Sequence, residues 1–377
     1  MPNTLTALAP TLFSAAKKVA AEPFGAVSAI DTRFDNKGVA LNDTVKVDIA
    51  PTRSASDFTP AATASSGTDA TASSISVQIT KSRKVSWHLT GEQIRSLENA
   101  TISRDWIEQL MMQGMRTLRN EAEVDCVSAI RKGGSRAYGT AGTTPFASDL
   151  SLLTNLRKIL QDNGAPLADL QFVCDTSAGL NLRNLGVFQN AYQAGSEEER
   201  RSGNFLPQMG FQIRESAGIS TVTKGTGSGY LINMGSGLAV GGTDVTVDTG
   251  SGTVLAGDIV TFAGTSAHKY VVTSALASNV FSIGSPGSRV LEADNDAITV
   301  GNDFTPSLAF ERNAVVGIMR PPLIPANPII NQQLISDQYG MTYLLLDIAQ
   351  YGQRTWELHL AWGFQAVNQE FIAVGLG

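Results

Sequence analysis

The residues of this chain that could perform chemistry are few and far apart in the sequence. The histidines His88, His268 and His359 lie in three separate segments, whereas a catalytic triad or metal site needs one of them beside a cysteine, serine or carboxylate cluster. His88 and His359 fall in strand-like segments, which favours ordinary, partly buried histidines. Cys126 and Cys174 are too few for a disulfide framework or a zinc site, and their patterned surroundings predict buried thiols.

Several short motifs match catalytic or binding patterns by letter only. Ser14-x-x-Lys17 and Ser266-x-x-Lys269 have the spacing of an acyl-enzyme dyad, but the companion motifs of such enzymes are missing. The glycines of residues 225–230 (GTGSGY) lack the dinucleotide-binding spacing, and no strand–helix unit with an acidic residue follows them. They are therefore predicted to be turn glycines.

Paired carboxylates and reactive lysines give equally weak signals. Asp294 and Asp296 lie in one turn and could bind calcium, but the full loop pattern is absent. Lys81 and Lys84 have no neighbour that marks them as reactive, so we expect no covalent crosslink there. With no G-x-S-x-G, H-E-x-x-H, C-x-x-C or Walker motif, we expect no catalytic, cofactor-binding or metal-binding residues, no cofactor and no enzyme.

Bulk composition indicates a folded protein with more than one domain. The chain has 377 residues, 42% hydrophobic and 16% charged, and a net charge of −6. That charge does not suggest a nucleic-acid binder, because affinity for phosphate requires clustered lysine and arginine. No apolar run approaches the length of a membrane helix, and Lys17 and Lys18 follow the first apolar stretch rather than precede it, unlike a signal peptide. We expect synthesis in the cytoplasm and no membrane partner.

The sequence pattern of the first ninety residues predicts an N-terminal arm followed by a long β-hairpin. Residues 4–20 have helical apolar spacing, and such an arm could pack on a neighbouring subunit or fold back on its own core. Alternating apolar residues then predict strands around 45–49, 75–79 and 85–87. Residues 54–76 between them are mostly Ser, Thr, Ala and Gly, which cannot build a core. This stretch is either the tip of a hairpin that reaches over another molecule or a plain interdomain linker.

A helix of about thirty residues follows, with Ser103 as the predicted N-cap and Gly133 just beyond its end. Its predicted apolar stripe comprises Ile107, Leu110, Met111, Leu118, Ala122 and Ile130. At about 1.5 Å per residue the helix would be roughly 45 Å long. A lone helix of this length beside strands is unusual for the core of an enzyme.

The middle of the chain changes character twice. Residues 149–222 predict a compact α/β unit: a helix closed by Gly164, a buried strand over 170–175 and a helix from about Thr176. The charged run 197–201 is either a solvated loop or an intersubunit contact. Residues 223–301 are rich in glycine and show only short alternating runs, which predict a small inserted β-barrel or sandwich able to fold alone.

The last part of the chain carries a recognisable pattern. Residues 308–320 (LAFERNAVVGIMR) predict one short strand stopped by Pro321-Pro322, because proline lacks the N–H and forces its neighbour into an extended conformation. Residues 340–377 then predict a long hairpin with Tyr351-Gly352-x-Arg354 at its turn. This order resembles the major capsid (coat) proteins of tailed bacteriophages, most of all those of short-tailed temperate phages that carry an inserted β-barrel.

The resemblance implies the α+β fold called Hong Kong-97-type, with an N-arm, an extended β-hairpin loop, a long spine helix, a peripheral α/β domain and an inserted all-β barrel. The expected domains are an N-terminal arm (1–32), an extended loop (33–90), a peripheral domain with the spine helix (91–145), an axial domain in two parts (146–222 and 302–339), an inserted β-barrel (223–301) and a closing hairpin with the C-terminus (340–377).

By the same resemblance, the chain is expected to be a virion protein that is assembled in the host bacterial cytoplasm. It would form pentamers and hexamers of an icosahedral shell around double-stranded DNA, without sequence-specific binding. Its partners would be itself, a scaffolding protein, a portal protein and, in some shells, a decoration protein. The alternatives are a shell protein of an encapsulin-like bacterial nanocompartment and a β-rich surface binding protein, with an enzyme a distant fourth.

Overall fold

The computed structural model describes residues 22–32, 44–49, 55, 57, 60, 73–99, 103–186, 207–324, 330–337 and 341–377. The helices of this part are α1 (Ala26–Ala29), α2 (Gly91–Asn99), α3 (Ser103–Lys132), α4 (Ser151–Asp162) and α5 (Thr176–Asn184). The strands are β1 (Thr44–Ile49), β2 (Ser73–Gln78), β3 (Lys81–Thr90), β4 (Arg136–Gly139), β5 (Leu170–Cys174), β6 (Phe211–Glu215), β7 (Leu231–Ile232), β8 (Asp244–Asp248), β9 (Ile259–Phe262), β10 (Lys269–Ala277), β11 (Val280–Ile283), β12 (Ile298–Val300), β13 (Pro306–Glu311), β14 (Val315–Arg320), β15 (Ile330–Ser336), β16 (Thr342–Gln350), β17 (Gln353–Ala366) and β18 (Ile372–Leu376).

The long helix α3 is confirmed, and its 30 residues run from Ser103 to Lys132. Ser103 is already helical, so the predicted N-cap lies one residue inside the helix. Residues on the buried face recur every three or four positions: Met111, Met115, Leu118, Ala122, Cys126 and Ile130. Gly133 ends the helix at a close approach, because a Cβ there would lie 2.1 Å from the Cβ of Ala366.

Helix α3 packs on one face of a five-stranded sheet with the order β14–β17–β16–β15, in which β3 also pairs with β17. Alternate residues of β17 form the buried face, and they are Trp356, Leu358, Leu360 and Trp362. A Cβ on Gly114 of α3 would lie 3.4 Å from the ring of Trp87, so a small residue lets the helix approach the sheet. The helix and this face share one hydrophobic core.

The second large sheet has eleven strands in the described part, with the main order β6–β5–β13–β18–β4–β10–β11–β8–β7 and with β9 and β12 branching from β10. Strands β9, β11 and β12 lie in the short alternating runs Ile259–Phe262, Val280–Ile283 and Ile298–Val300 of the sequence. Residues 223–301 have a hydrophobic core of their own. They also continue the main sheet, because Lys269 and Tyr270 of β10 pair with Ala137 and Arg136 of β4.

The prediction of a single strand over residues 308–320 is wrong. The structure divides this stretch into β13 and β14, which belong to different sheets, with a 3-10 turn at Arg312–Ala314 between them. Backbone groups that are distant in sequence fix the turn: Arg312 N–H donates to Asp169 O at 3.2 Å, and Val367 N–H donates to Ala314 O at 2.8 Å. The break coincides with the polar residues Glu311, Arg312 and Asn313, which separate two buried apolar halves.

The hairpin predicted over 340–377 is correct for β16 and β17 but incomplete. Gly352 has a φ of +73° at its turn, a conformation that glycine adopts without strain. The chain then leaves this sheet through a 3-10 turn at Gln369–Phe371, and β18 joins the eleven-stranded sheet between β13 and β4. The two sheets are therefore connected twice, by neighbouring 3-10 turns.

The α/β unit predicted after residue 149 is confirmed in α4, β5 and α5. Asp175 caps α5, because its side chain accepts hydrogen bonds from the N–H groups of Ser177 and Ala178. The predicted arm (4–20), the charged run (197–201) and most of the predicted flexible stretch (54–76) lie outside the described residues. In the part that the structure describes, no helix is both long and apolar enough to cross a membrane.

Candidate assembly surfaces

Residues 22–31, here called the anchor segment, bind the middle of α3 through a group of charged side chains. Arg116 donates to both carboxylate oxygens of Glu22, through Nε at 2.9 Å and through a shorter contact from Nη2. Asn120 donates a further hydrogen bond of 2.6 Å to the same carboxylate. These hydrogen bonds, first that of Arg116 and then that of Asn120, lower the pKa of Glu22 to about 2.

A buried carboxylate holds the next turn of the anchor segment. Glu123 of α3 is 2% exposed and accepts hydrogen bonds from Ala26 N–H at 2.8 Å and Val27 N–H at 3.0 Å. The hydroxyl of Ser216 donates a third, short hydrogen bond to it. Burial raises the pKa of Glu123, while these hydrogen bonds oppose the rise. All three partners donate, which is the arrangement that an ionised carboxylate requires.

An arginine completes the attachment from the same face of α3. The guanidinium carbon of Arg119 lies 4.0 Å from the centroid of the Phe24 ring, within the range of a cation–π interaction. Arg119 is 2% exposed. The anchor segment then reaches the outer edge of β14, where Asp31 exchanges backbone hydrogen bonds of 3.1 and 2.9 Å with Val315 and Gly317. The anchor segment thus links the long helix to the five-stranded sheet.

The hairpin of β1 and β2 is clamped at its base. Its strands pair antiparallel from Thr44 opposite Gln78 to Ile49 opposite Ser73. At the base, a small core comprises Val77, Ile79, Val316, Ile318, Ala361 and Val367. The backbone of β17 comes so close to β2 that a Cβ on Gly363 would lie 1.9 Å from the carbonyl oxygen of Gln78. The base of the hairpin is thus fixed to the sheet.

Ion pairs tie the start of β3 to α3. Lys81 Nζ lies 2.8 Å from the carboxylate of Asp125, and Arg83 Nε lies 2.8 Å from that of Glu121. The indole N–H of Trp362 donates to the same Asp125 carboxylate at 2.8 Å. Asp125 therefore joins the helix to both β3 and β17.

The inserted region is held to the main body by side chains as well as by the β4–β10 pairs. Arg131 at the end of α3 donates to Gly257 O at 2.9 Å. On the other side, Ser285 is bound by Gln369 and Glu370 of the second 3-10 turn, at 3.1 and 2.9 Å. These contacts place the inserted region at the point where the chain passes between the two sheets.

The histidines were assigned to three separate regions, and the structure corrects this for two of them. His88 in β3 pairs with Thr355, and His359 in β17 pairs with Lys84, so both lie on one face of the five-stranded sheet. Along the strands they are separated by four residues, about 13 Å. His359 is partly buried with its ring nitrogen 3.0 Å from Glu357, whereas His88 is exposed. The spacing is too large for one catalytic or metal site.

The cysteines are buried as predicted, and burial raises the pKa of both thiols. Asp294 and Asp296 accept hydrogen bonds from the N–H groups of Met234 and Ala293, so they stabilise turns. Among the described residues, no group of three or more His, Cys, Asp or Glu side chains could hold a metal ion.

The lysines considered in the sequence are engaged in other contacts. Lys269, of the Ser266-x-x-Lys269 pair, donates to the carbonyl oxygen of Gly139. Lys84 pairs with Glu357 at 2.8 Å, and Lys81 pairs with Asp125 as described above.

The sequence analysis missed the group that holds the anchor segment. Its signal was available: Arg119 and Glu123 have opposite charges four residues apart and border the buried stripe of α3. A charge beside an apolar stripe requires a partner, because burial without one is costly. The partners could not be named from the sequence, since Ala26 and Ser216 lie more than 90 residues away on either side.

The fold can now be compared with those of known proteins. No protein-family model matches the sequence, and no curated protein sequence matches it. The capsid structure of the Cyanophage P-SCSP1u aligns over 95% of this chain and 89% of its own, at 12% identity and a TM-score of 0.52. A structure from Mycobacterium phage Che8 aligns over 94% of this chain and 92% of its own, at 11% identity and a TM-score of 0.50. The chain therefore has the α+β fold of a phage capsid subunit, which confirms the predicted fold class.

Proposed function

We propose that this chain is the major capsid protein of a tailed bacteriophage and forms the shell of its head. The observation that carries the proposal is the match to the cyanophage capsid, which spans 95% of the chain. A match of this extent reflects the fold of the chain rather than one common motif. The role is then structural, and subunits act by assembling rather than by turning over a substrate.

The geometry supports a subunit with a rigid centre to which two peripheral segments, the anchor segment and the β1–β2 hairpin, are attached. The rigid part consists of α3, the two sheets and the paired 3-10 turns between them. The anchor segment is fixed to this part along its length, and the β1–β2 hairpin is fixed to it at its base, both by buried contacts. Closed icosahedral shells require each surface to serve in several similar contacts, and such attachments give that tolerance.

Identical subunits would form pentamers and hexamers, and many weak contacts acting together would hold the shell. Within it the subunit would enclose double-stranded DNA without sequence-specific contacts, in keeping with a net charge of −6. The proposed further partners are a scaffolding protein, a portal protein and, in decorated shells, a decoration protein. The proposed location is the virion, after assembly in the host bacterial cytoplasm.

The domain division stays a proposal of the same kind. We assign 1–32 to the arm, 33–90 to the extended loop, 91–145 to the peripheral domain, 146–222 and 302–339 to the axial domain, 223–301 to the inserted barrel and 340–377 to the closing hairpin. The separate hydrophobic core of the inserted region supports its assignment as a unit. Among the described strands, its backbone pairing with the main body is limited to two residue pairs of β4 and β10, which supports the prediction that it folds alone.

Negative-stain electron microscopy with sedimentation tests the proposed function. The protein is expressed alone and together with a scaffolding partner, and closed shells tens of nanometres across, or tubes and polyhedral fragments, are expected. Shells from the native source that contain nuclease-protected DNA support a phage head, whereas shells that contain a cargo enzyme and no DNA identify a nanocompartment. A monomer under every condition contradicts a shell protein and favours a surface binding protein.

A further inference from the structure

Strand β15 forms an edge of the five-stranded sheet in the part of the chain that the structure describes. It pairs with β16 along all seven of its residues, from Ile330 opposite Ile348 to Ser336 opposite Thr342. In the described part of the chain, β15 forms no ladder with any other strand. Its sequence, INQQLIS, has no charged residue and no proline, and Leu334 in its centre is 61% exposed.

The remaining edge strands of the two large sheets are protected against pairing with another chain. The outer edge of β14 is covered by Asp31 of the anchor segment. Strands β3 and β6 carry charged residues, which are Lys81, Arg83, Lys84, Arg214 and Glu215. Strands β7 and β12 are three residues long or shorter. Proteins use charge, cover and short length to prevent edge pairing, so a long, uncharged edge indicates a strand that pairs in the working assembly.

We propose that β15 pairs antiparallel with β15 of a second copy of this chain, across a two-fold axis near Gln333. The proposal rests on the proposed function, and it names one contact by which the shell would close. The partner is an identical strand because β15 has no charged residue, so antiparallel self-pairing, which places Gln333 opposite itself and Gln332 opposite Leu334, brings no like charges together.

The composition of β15 suits such a contact. Asn331 and Gln333 have amide side chains that both donate and accept, so two copies can form hydrogen bonds in either direction across the axis. Leu334, opposite the buried Leu344 of β16, would be covered by the partner strand. The result is one continuous sheet that extends from one subunit into the next. A two-fold contact of one strand pair is small, but it is repeated over the whole shell and therefore acts through avidity.

A single introduced cysteine tests the pairing directly, because the two native cysteines are buried. In Gln333→Cys, the two-fold axis brings the new thiols within disulfide range, so oxidation is expected to give a dimer on non-reducing gels. Leu180→Cys is the matched control, since Leu180 in α5 is 57% exposed and lies on another element. A dimer yield at Gln333→Cys no higher than at Leu180→Cys would overturn the pairing.

A charge on the edge tests whether the pairing matters for assembly. Leu334→Lys brings two ammonium groups together across the axis, and we expect about tenfold less sedimenting shell than from Leu180→Lys, with an unchanged circular dichroism spectrum. Shell yields that are equal for the two variants would overturn the role of β15, while the shells themselves would leave the proposed function intact. If the wild-type protein forms no shells, the proposed function fails, and disulfide formation by concentrated Gln333→Cys in solution still decides the pairing.

Discussion

The buried carboxylate of Glu123 provides the sharpest test of how the anchor segment is held. Glu123→Gln keeps the size of the side chain but replaces one acceptor oxygen by an NH2 donor. If the amide oxygen keeps the hydrogen bonds from Ala26 and Ser216, the NH2 group faces the N–H of Val27, and that buried donor loses its acceptor. Leaving one buried donor unsatisfied costs about 1–3 kcal/mol. We expect the free energy of unfolding to fall by that amount.

Urea unfolding of the unassembled subunit measures the loss, and limited proteolysis locates it. Cleavage within residues 22–32 should become faster in Glu123→Gln. Glu121→Gln is the matched control: the residue lies two positions away on the same helix, and its ion pair with Arg83 is partly exposed. Such pairs contribute about 0–1 kcal/mol. Equal stability and equal protease resistance in the two variants would refute the role assigned to Glu123.

Three further predictions concern the close approach of Gly363 to β2, the pKa of Glu22 and the burial of the two cysteines. Gly363→Ala places a methyl group 1.9 Å from a backbone carbonyl oxygen of β2, so its soluble yield and urea midpoint should fall well below those of Gly91→Ala, where the nearest atom is 4.0 Å away; equal values would contradict this close approach. Because the pKa of Glu22 is about 2 in the folded state against an ordinary value of 4.5, its contribution to stability is present above pH 4.5 and is lost as the pH falls towards 2. NMR titration of that carboxyl should give a midpoint near 2 that rises towards 4.5 in Arg116→Gln, and an unchanged midpoint would exclude Arg116 as the cause. The two native thiols should react with a thiol reagent only as fast as the protein unfolds, since both are fully buried, and rapid labelling of the folded subunit would contradict their burial.

Elements defined by local periodicity could be predicted from the sequence. The long helix follows from apolar residues every three or four positions, and β9, β11 and β12 follow from short alternating runs between turn residues. In each case the pattern lies within the element itself. The fold class followed from the resemblance of the last part of the chain, and of the order of its elements, to phage coat proteins.

Features set by distant backbone contacts could not be predicted. The turn at Arg312–Ala314 falls where the polar residues Glu311, Arg312 and Asn313 interrupt the apolar pattern, but its geometry depends on Asp169 and Val367 from other parts of the chain. The shared face of His88 and His359 depends on the register of β3 against β17, which no local pattern states. The sequence likewise shows that Glu123 is charged but not that its partners are backbone N–H groups of the anchor segment.

A cryo-electron microscopy reconstruction of the assembled particle tests the central claim most directly. If this chain is the shell protein, we expect closed icosahedral particles with five-fold vertices. Every subunit of their pentamers and hexamers should be traceable as this chain, with α3 packed on the five-stranded sheet. Particles built from a different chain, or open filaments of this chain without five-fold vertices, would contradict the proposal.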